Sequence, residues 1–142
     1  MPDGHARPTR RGAVAVIARR DCLLVIRRAA CVAAPGMYCF PGGGIEGDET
    51  EEQAIVRELR EELSVNVRPV RPLWRNVTPW GVDLVWWSAE LDESAEPIPN
   101  PAEVASVHWM THAEIAALEG LLESNRQFLQ VLRAREPERT AG

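Results

Sequence analysis

Lysine is absent from this sequence; all 16 of its basic residues are arginine. That excludes a Walker-A lysine, Schiff-base chemistry and a Ser-Lys dyad. Histidine is scarce, and His5, His108 and His112 form no H-E-x-x-H pair, so a zinc-protease helix is excluded as well. No G-x-S-x-G occurs, and with it goes the nucleophile elbow. Cys22, Cys31 and Cys39 are odd in number and contain no C-x-x-C. A zinc knuckle or vicinal redox pair is therefore unsupported, and free, largely buried thiols are expected. No apolar run approaches the ~18 residues of a membrane span. The opening MPDGHARPTRRG is followed by no signal-type apolar region with a cleavage site, so the default expectation is a cytoplasmic protein.

What remains is the composition of a soluble single domain: 142 residues, 45% apolar and 26% charged. A net charge of -5 argues against duplex nucleic acid as partner, because phosphate contacts need a basic face. It leaves room for an anion bridged by a metal ion.

Apolar runs over 12–18 and 22–26, parted by Arg19, Arg20 and Asp21, read as a hairpin. A short strand is expected over 37–40. The stretch PGGGIEGDET, 41–50, is too rich in glycine for regular structure. Thr50 and Gln53 form a capping-box pattern, and Ala54, Ile55, Leu59 and Leu63 give the helix after them an apolar stripe ending near Ser64. Residues 65–77 carry Pro69 and Pro72 and read as an interrupted or edge strand. A turn at 79–81 leads to a central strand over 82–91, a polar loop over 92–102 and a last strand over 104–110. Thr111 is expected to cap a helix over 112–118, and Ser124 another over 125–135. The order implies an α/β/α sandwich with a mixed sheet, one domain over 12–135 between flexible tails at 1–11 and 136–142.

The chemistry is concentrated in Glu46, Asp48, Glu49, Glu51, Glu52, Glu58, Glu61 and Glu62, opposed only by Arg57 and Arg60. Glu58, Glu61 and Glu62 stand at i, i+3 and i+4 and share one helix face, where like charges repel. A solvated acidic face would explain them; so would a divalent cation among them. Oxygen-only ligands favour Mg²⁺, Mn²⁺ or Ca²⁺ over zinc. The glycine-rich loop just before the helix favours the cation, because backbone there can approach a ligand closely.

The segment resembles the signature of the Nudix hydrolases, G-x(5)-E-x(7)-R-E-U-x-E-E-x-G-U, with U a bulky aliphatic residue. Gly43, Glu49, Arg57, Glu58, Leu59, Glu61, Glu62 and Val65 fill its defined positions. Ser64 stands where the family has glycine, which puts the helix exit in question rather than the ligands. The resemblance implies Mg²⁺- or Mn²⁺-dependent hydrolysis of a nucleoside diphosphate linked to another moiety. By position it makes Glu58, Glu61, Glu62 and the Gly42 carbonyl metal ligands, and Glu49 a loop-orienting or secondary metal carboxylate. Arg57 would hold the acids, although an ordinary i,i+4 pair with Glu61 fits it too. Glu103, six residues before Trp109, corresponds to a further glutamate of MutT-type members and competes with Glu58 for the role of general base.

The pattern is closest to those MutT-type nucleoside triphosphate pyrophosphohydrolases. Arg28, Phe40 and Asn125 then occupy substrate-binding positions; a surface charge, a core aromatic and a first-turn residue are their plainer readings. The lysine some MutT-type members carry before the Ile-Glu pair is replaced by Gly44. Among the five tryptophans, Trp80 or one of Trp86 and Trp87 could stack on a base. As strand neighbours, Trp86 and Trp87 must face opposite sides. The expected substrate is a purine nucleoside triphosphate, including an oxidised one, cleaved to monophosphate and pyrophosphate by a monomer or homodimer. ADP-ribose, a dinucleoside polyphosphate or a sugar nucleotide is the alternative, and a non-catalytic nucleotide-binding module the second.

Overall fold

The period-two alternation of apolar residues in the first two strands divides the core between two faces of one sheet. The computed structural model describes residues 10–135; residues 1–9 and 136–142, most of the two expected tails, lie outside the described residues. In chain order the elements are β1 Arg10–Arg19, β2 Cys22–Arg28, β3 Tyr38–Cys39, β4 Gly42–Gly44, α1 Glu51–Leu63, β5 Val67–Val77, β6 Val82–Leu91, β7 Val104–Met110, α2 His112–Ala116 and α3 Glu123–Arg135. Ala13, Ala15 and Ile17 of β1 face α1, with its Ala54, Ile55, Leu59 and Leu63. Val14 and Val16 face Ile115, Phe128 and Leu129 of α2 and α3. Helices on both faces of a mixed sheet make the expected sandwich.

The strands run in the order β3-β2-β1-β6-β5, with β4 added to β1 and β7 to β2. β1 and β2 form the expected hairpin, in register at Ala18↔Leu23. β1 lies parallel to β6 and thereby brings the chain's first strand into the middle of the sheet. β5 is an edge strand whose register slips at Pro69/Arg71 and Pro72/Trp74, the interruption its prolines imply.

Four boundaries differ from the sequence-based expectation. Arg10 and Arg11 belong to β1 rather than to a tail, because they pair with Val82 and Asp83. The glycine stretch is not wholly irregular: Gly42–Gly44 pairs antiparallel with Gly12–Val14. The approach is so close that a Cβ on Gly42 would sit 2.2 Å from the Ala13 carbonyl oxygen, so here glycine permits a ladder that any side chain would block. α2 stops at Ala116, where the Ala117 amide is already shared among preceding carbonyls. α3 starts at Glu123, so Ser124 lies inside the first turn instead of capping it.

α1 is bounded as its sequence requires at one end and against preference at the other. Both arms of the capping box form, Gln53 N donating to Thr50 Oγ1 at 3.0 Å and Thr50 N to Gln53 Oε1 at 2.9 Å. Ser64 takes the left-handed exit at φ 56, ψ 36, the conformation glycine adopts most cheaply.

Candidate functional site

A single helix face carries two acids into the protein. Glu58 and Glu62 lie one turn apart on α1, and both are buried. Glu103 reaches them from the loop before β7, and carboxylate oxygens of the three lie within 4.8 Å of one another. Gly43 makes the space: a Cβ there would fall 2.3 Å from the Glu58 carboxyl carbon. Gly42 meets the cluster through its amide, which donates to Glu62 Oε1 at 3.1 Å.

Burial and nearby negative charge raise the proton affinity of Glu58 and Glu62. Glu62 is pushed up to about 8, chiefly by burial and then by the Glu58 charge. Glu58 is raised too, by burial, although Arg57 opposes the shift.

Arg57 spends its whole guanidinium on this region. Nε and Nη2 grip Glu49 at 2.6 and 3.0 Å, Nη2 also donates to the Gly44 carbonyl at 2.8 Å, and Nη1 reaches Glu58 at 3.0 Å and Glu61 at 3.2 Å. The fork therefore joins helix, loop and cluster, well beyond an i,i+4 pair. Its hydrogen bond, with that of the Glu46 amide, holds the Glu49 carboxyl down at about 2. Of the two roles open to Glu49, its contacts are those of loop orientation. Glu61 is not gathered into the trio; its side chain is half exposed and turned to Arg57.

Beside the cluster runs a groove of about 800 Å³ between the glycine strand, the β5–β6 turn and the start of α3. Arg28, Phe40 and Asn125 all line it. Arg28 is anchored by Nε to the Ala33 carbonyl at 2.6 Å and by Nη1 to Cys39 Sγ at 3.8 Å. Phe40 is also a core residue, edge-to-face with Trp86 and Phe128. Asn125 is buried, and its Oδ1 accepts from the Phe40 amide at 2.8 Å. Trp86 and Trp87 do face opposite ways: Trp86 stacks on Phe128 at 4.7 Å, whereas Trp87 Nε1 donates to Glu51 on the α1 side. Trp80 is 73% exposed at the groove mouth.

Sequence reasoning missed two asparagines here. Asn76 lines the groove and accepts from Trp86 Nε1 at 2.7 Å. Asn100 ties the Glu103 loop to the end of α1 through its amide, which donates to the Glu62 carbonyl at 2.8 Å. The Asn100–Pro101 pair marks a turn, but nothing local reveals its docking partner. No helix among the described residues is long and apolar enough to cross a membrane.

The family model of the NUDIX domain matches residues 8–132. The NAD-capped RNA hydrolase NudC of Stutzerimonas stutzeri (strain A1501) is 27% identical over 122 residues, covering 86% of this chain and 44% of that protein. The CTP pyrophosphohydrolase of Escherichia coli (strain K12) is 45% identical over 51 residues, 36% of this chain and 38% of the relative. The chain thus spans less than half the length of either curated relative. Among solved structures, a MutT protein from Methanosarcina mazei Go1 superposes with a TM-score of 0.81 at 19% identity, over 95% of this chain and 100% of the other.

Proposed function

The chain belongs to the Nudix family, and from that premise we propose that it hydrolyses a nucleoside diphosphate linked to another moiety, by water attack at phosphorus with a divalent cation. The observation that carries this reading is the convergence of Glu58, Glu62 and Glu103 within 4.8 Å, beside a groove large enough for a nucleotide. A purely structural cluster would not keep like charges this close and this buried. The donor set is all oxygen, which suits Mg²⁺ or Mn²⁺.

In this reading Glu58, Glu62 and the Gly42 carbonyl would hold the cation, with Glu61 joining from the exposed side. When bound, such a cation would supply neutralisation of phosphate charge and lower the pKa of a water. Glu103 or Glu58 takes the proton of that water. Arg57 and Glu49 fix the loop, Arg28 meets a phosphate, and Phe40 and Asn125 bound the base. The substrate proposed is a nucleoside triphosphate, a purine one first, cleaved to monophosphate and pyrophosphate in the MutT manner.

The test is a nucleotide panel with Mg²⁺ or Mn²⁺ at alkaline pH, products resolved by chromatography, with Glu61→Gln and Glu62→Gln run beside the wild type. Monophosphate plus pyrophosphate, lost in both variants, is expected. Undiminished turnover in either would remove that residue from the ligand set. Cleavage of ADP-ribose or dinucleotides but no triphosphate would keep the reaction and discard the substrate.

A further inference from the structure

The carboxylate trio is assembled from two places far apart in the chain: Glu58 and Glu62 on α1, and Glu103 in the loop before β7. Helical spacing fixes the first two against each other. The third is set only by contacts between loop and helix. Asn100 makes two of them: its backbone amide donates to the Glu62 carbonyl at 2.8 Å, and its Nδ2 donates to the Glu61 carbonyl at 3.3 Å. Both carbonyls lie in the last turn of α1, where the helix itself has no further amide to give.

The same residue holds the turn that carries Glu103. Pro101 has no N–H. The next three amides all go to Asn100: Ala102 N donates to its Oδ1 at 3.1 Å, and Glu103 N and Val104 N donate to its carbonyl at 2.9 and 2.8 Å. The side-chain amide is engaged at both ends. Turning it over would set NH₂ against the Ala102 N–H and oxygen against the Glu61 carbonyl, so its orientation is fixed.

Other bonds hold the loop without joining these two parts. Ile98 N docks on the Leu63 carbonyl at 2.8 Å, upstream of the turn. The Ala29 amide and the Cys31 thiol donate to the Glu103 and Ala102 carbonyls at 3.1 and 3.2 Å, and tie the turn to the β2–β3 connection. Among the described residues, Asn100 is the one hydrogen-bonded both to α1 and to the turn that bears Glu103.

We propose that Asn100 is a positioning residue, whose side chain sets the Glu103 carboxylate against Glu58 and Glu62. Its effect on turnover rests on the hydrolase reading above; its effect on cation binding does not. The backbone bonds of Asn100 survive replacement of the side chain. Asn100→Ala therefore loosens the turn without releasing it. A displacement of about 1 Å is enough to cost on the order of 10²-fold in rate.

The test is a double-mutant cycle between Asn100 and Glu103, read in two ways. Mn²⁺ alone is titrated into the wild type, Asn100→Ala, Glu103→Gln and the double variant, with free Mn²⁺ followed by electron paramagnetic resonance. The values of kcat and KM are then taken on whichever nucleotide the panel identifies. Asn100→Ala is expected to weaken Mn²⁺ binding about tenfold, the usual loss when a group that orients a metal-binding carboxylate is removed. It should lower kcat by roughly ten- to a hundredfold at unchanged KM. Where Glu103 is already glutamine, the same change should cost less than about twofold in Mn²⁺ affinity and in kcat. Asn100→Ser keeps a hydroxyl that can accept from the Ala102 amide and should recover part of both losses. It also carries the cycle should Asn100→Ala fail to fold, which urea unfolding decides. Equal cost of Asn100→Ala with and without Glu103 would make it a plain loop staple and overturn the proposal. Unchanged Mn²⁺ affinity in Asn100→Ala or in Glu103→Gln would overturn it too. A coupled loss of Mn²⁺ affinity without turnover of any nucleotide would sink the hydrolase reading and leave the positioning role standing. Turnover with an uncoupled loss would do the reverse.

Discussion

Glu62→Gln should make the metal-free protein more stable near neutral pH, although it removes one acid of the carboxylate cluster. Burial and the Glu58 charge raise the Glu62 carboxyl from the ordinary 4.5 to about 8. A carboxyl with a raised folded-state pKa contributes most below its unfolded value. Stability is then lost as pH rises from about 4.5, and the loss is complete a little above pH 8. Carried over that whole span, the shift amounts to as much as about 5 kcal/mol. That rivals the net stability of a small domain, roughly 5–15 kcal/mol. Glutamine carries no charge, and its Oε1 can still accept from the Gly42 amide, the bond Glu62 makes at 3.1 Å.

The assay is urea unfolding in EDTA at pH values from 4.5 to 8.5, compared through midpoints at a common slope. The wild type should weaken steadily across the range. Glu62→Gln should weaken far less and exceed the wild type by several kcal/mol at pH 8, while the two coincide near pH 4.5. The exposed Glu52→Gln serves as control and should follow the wild type. Saturating Mg²⁺ should rescue the wild type at pH 8 and leave Glu62→Gln unmoved. A wild type that is flat with pH in EDTA, or a Glu62→Gln variant that falls as steeply, would refute the claim that a buried, repelled carboxylate sits at this position.

Ser64→Gly should stabilise the fold by about 1 kcal/mol, because the serine is held at φ 56; an unchanged melting temperature would show that the exit carries no strain. Gly43→Ala should lower kcat by roughly 10²-fold, since its Cβ would fall 2.3 Å from the Glu58 carboxyl and displace it; kinetics with circular dichroism as a folding control decide this. Cys39, pushed up to about 11 by burial, should resist a thiol reagent at pH 8 in the folded protein while exposed Cys31 reacts, and urea should abolish the difference. Turnover should be greatest at alkaline pH, where water activated beside several carboxylates ionises; a maximum at pH 5 would contradict the mechanism.

The elements legible in the sequence were those fixed by local pattern. The α1 capping box, its apolar stripe, the β1–β2 hairpin and the proline-broken edge strand all follow from neighbours in the chain. β4 was not legible, because Gly42–Gly44 is a strand only by virtue of β1 lying against it, and glycine's composition argues for a loop. In the site, the Glu58–Glu62 pair follows from helical spacing, and the reach of Arg57 to Glu49 from the family pattern. The hydrogen bonds that Asn76 accepts from Trp86 and Asn125 from the Phe40 amide do not follow from either, since those donors lie on β6 and between β3 and β4, far off in the chain.

The position of Glu103 shows how far from the sequence a site residue can be set. α1 ends with carbonyls that no further turn can satisfy. Three of them are taken by the loop before β7: Leu63 by the Ile98 amide and Glu62 by the Asn100 amide, both at 2.8 Å, and Glu61 by Asn100 Nδ2 at 3.3 Å. Having docked there, the chain turns on Asn100, whose carbonyl accepts from the Glu103 and Val104 amides at 2.9 and 2.8 Å. The Glu103 carbonyl is then held by the Ala29 amide at 3.1 Å. One side of the carboxylate trio is therefore positioned by the way the helix bearing the other two comes to an end. The left-handed exit at Ser64 carries the backbone away from that end and leaves the terminal carbonyls open to the loop. The family's glycine position and the third carboxylate, read from the sequence as separate features, are parts of one arrangement.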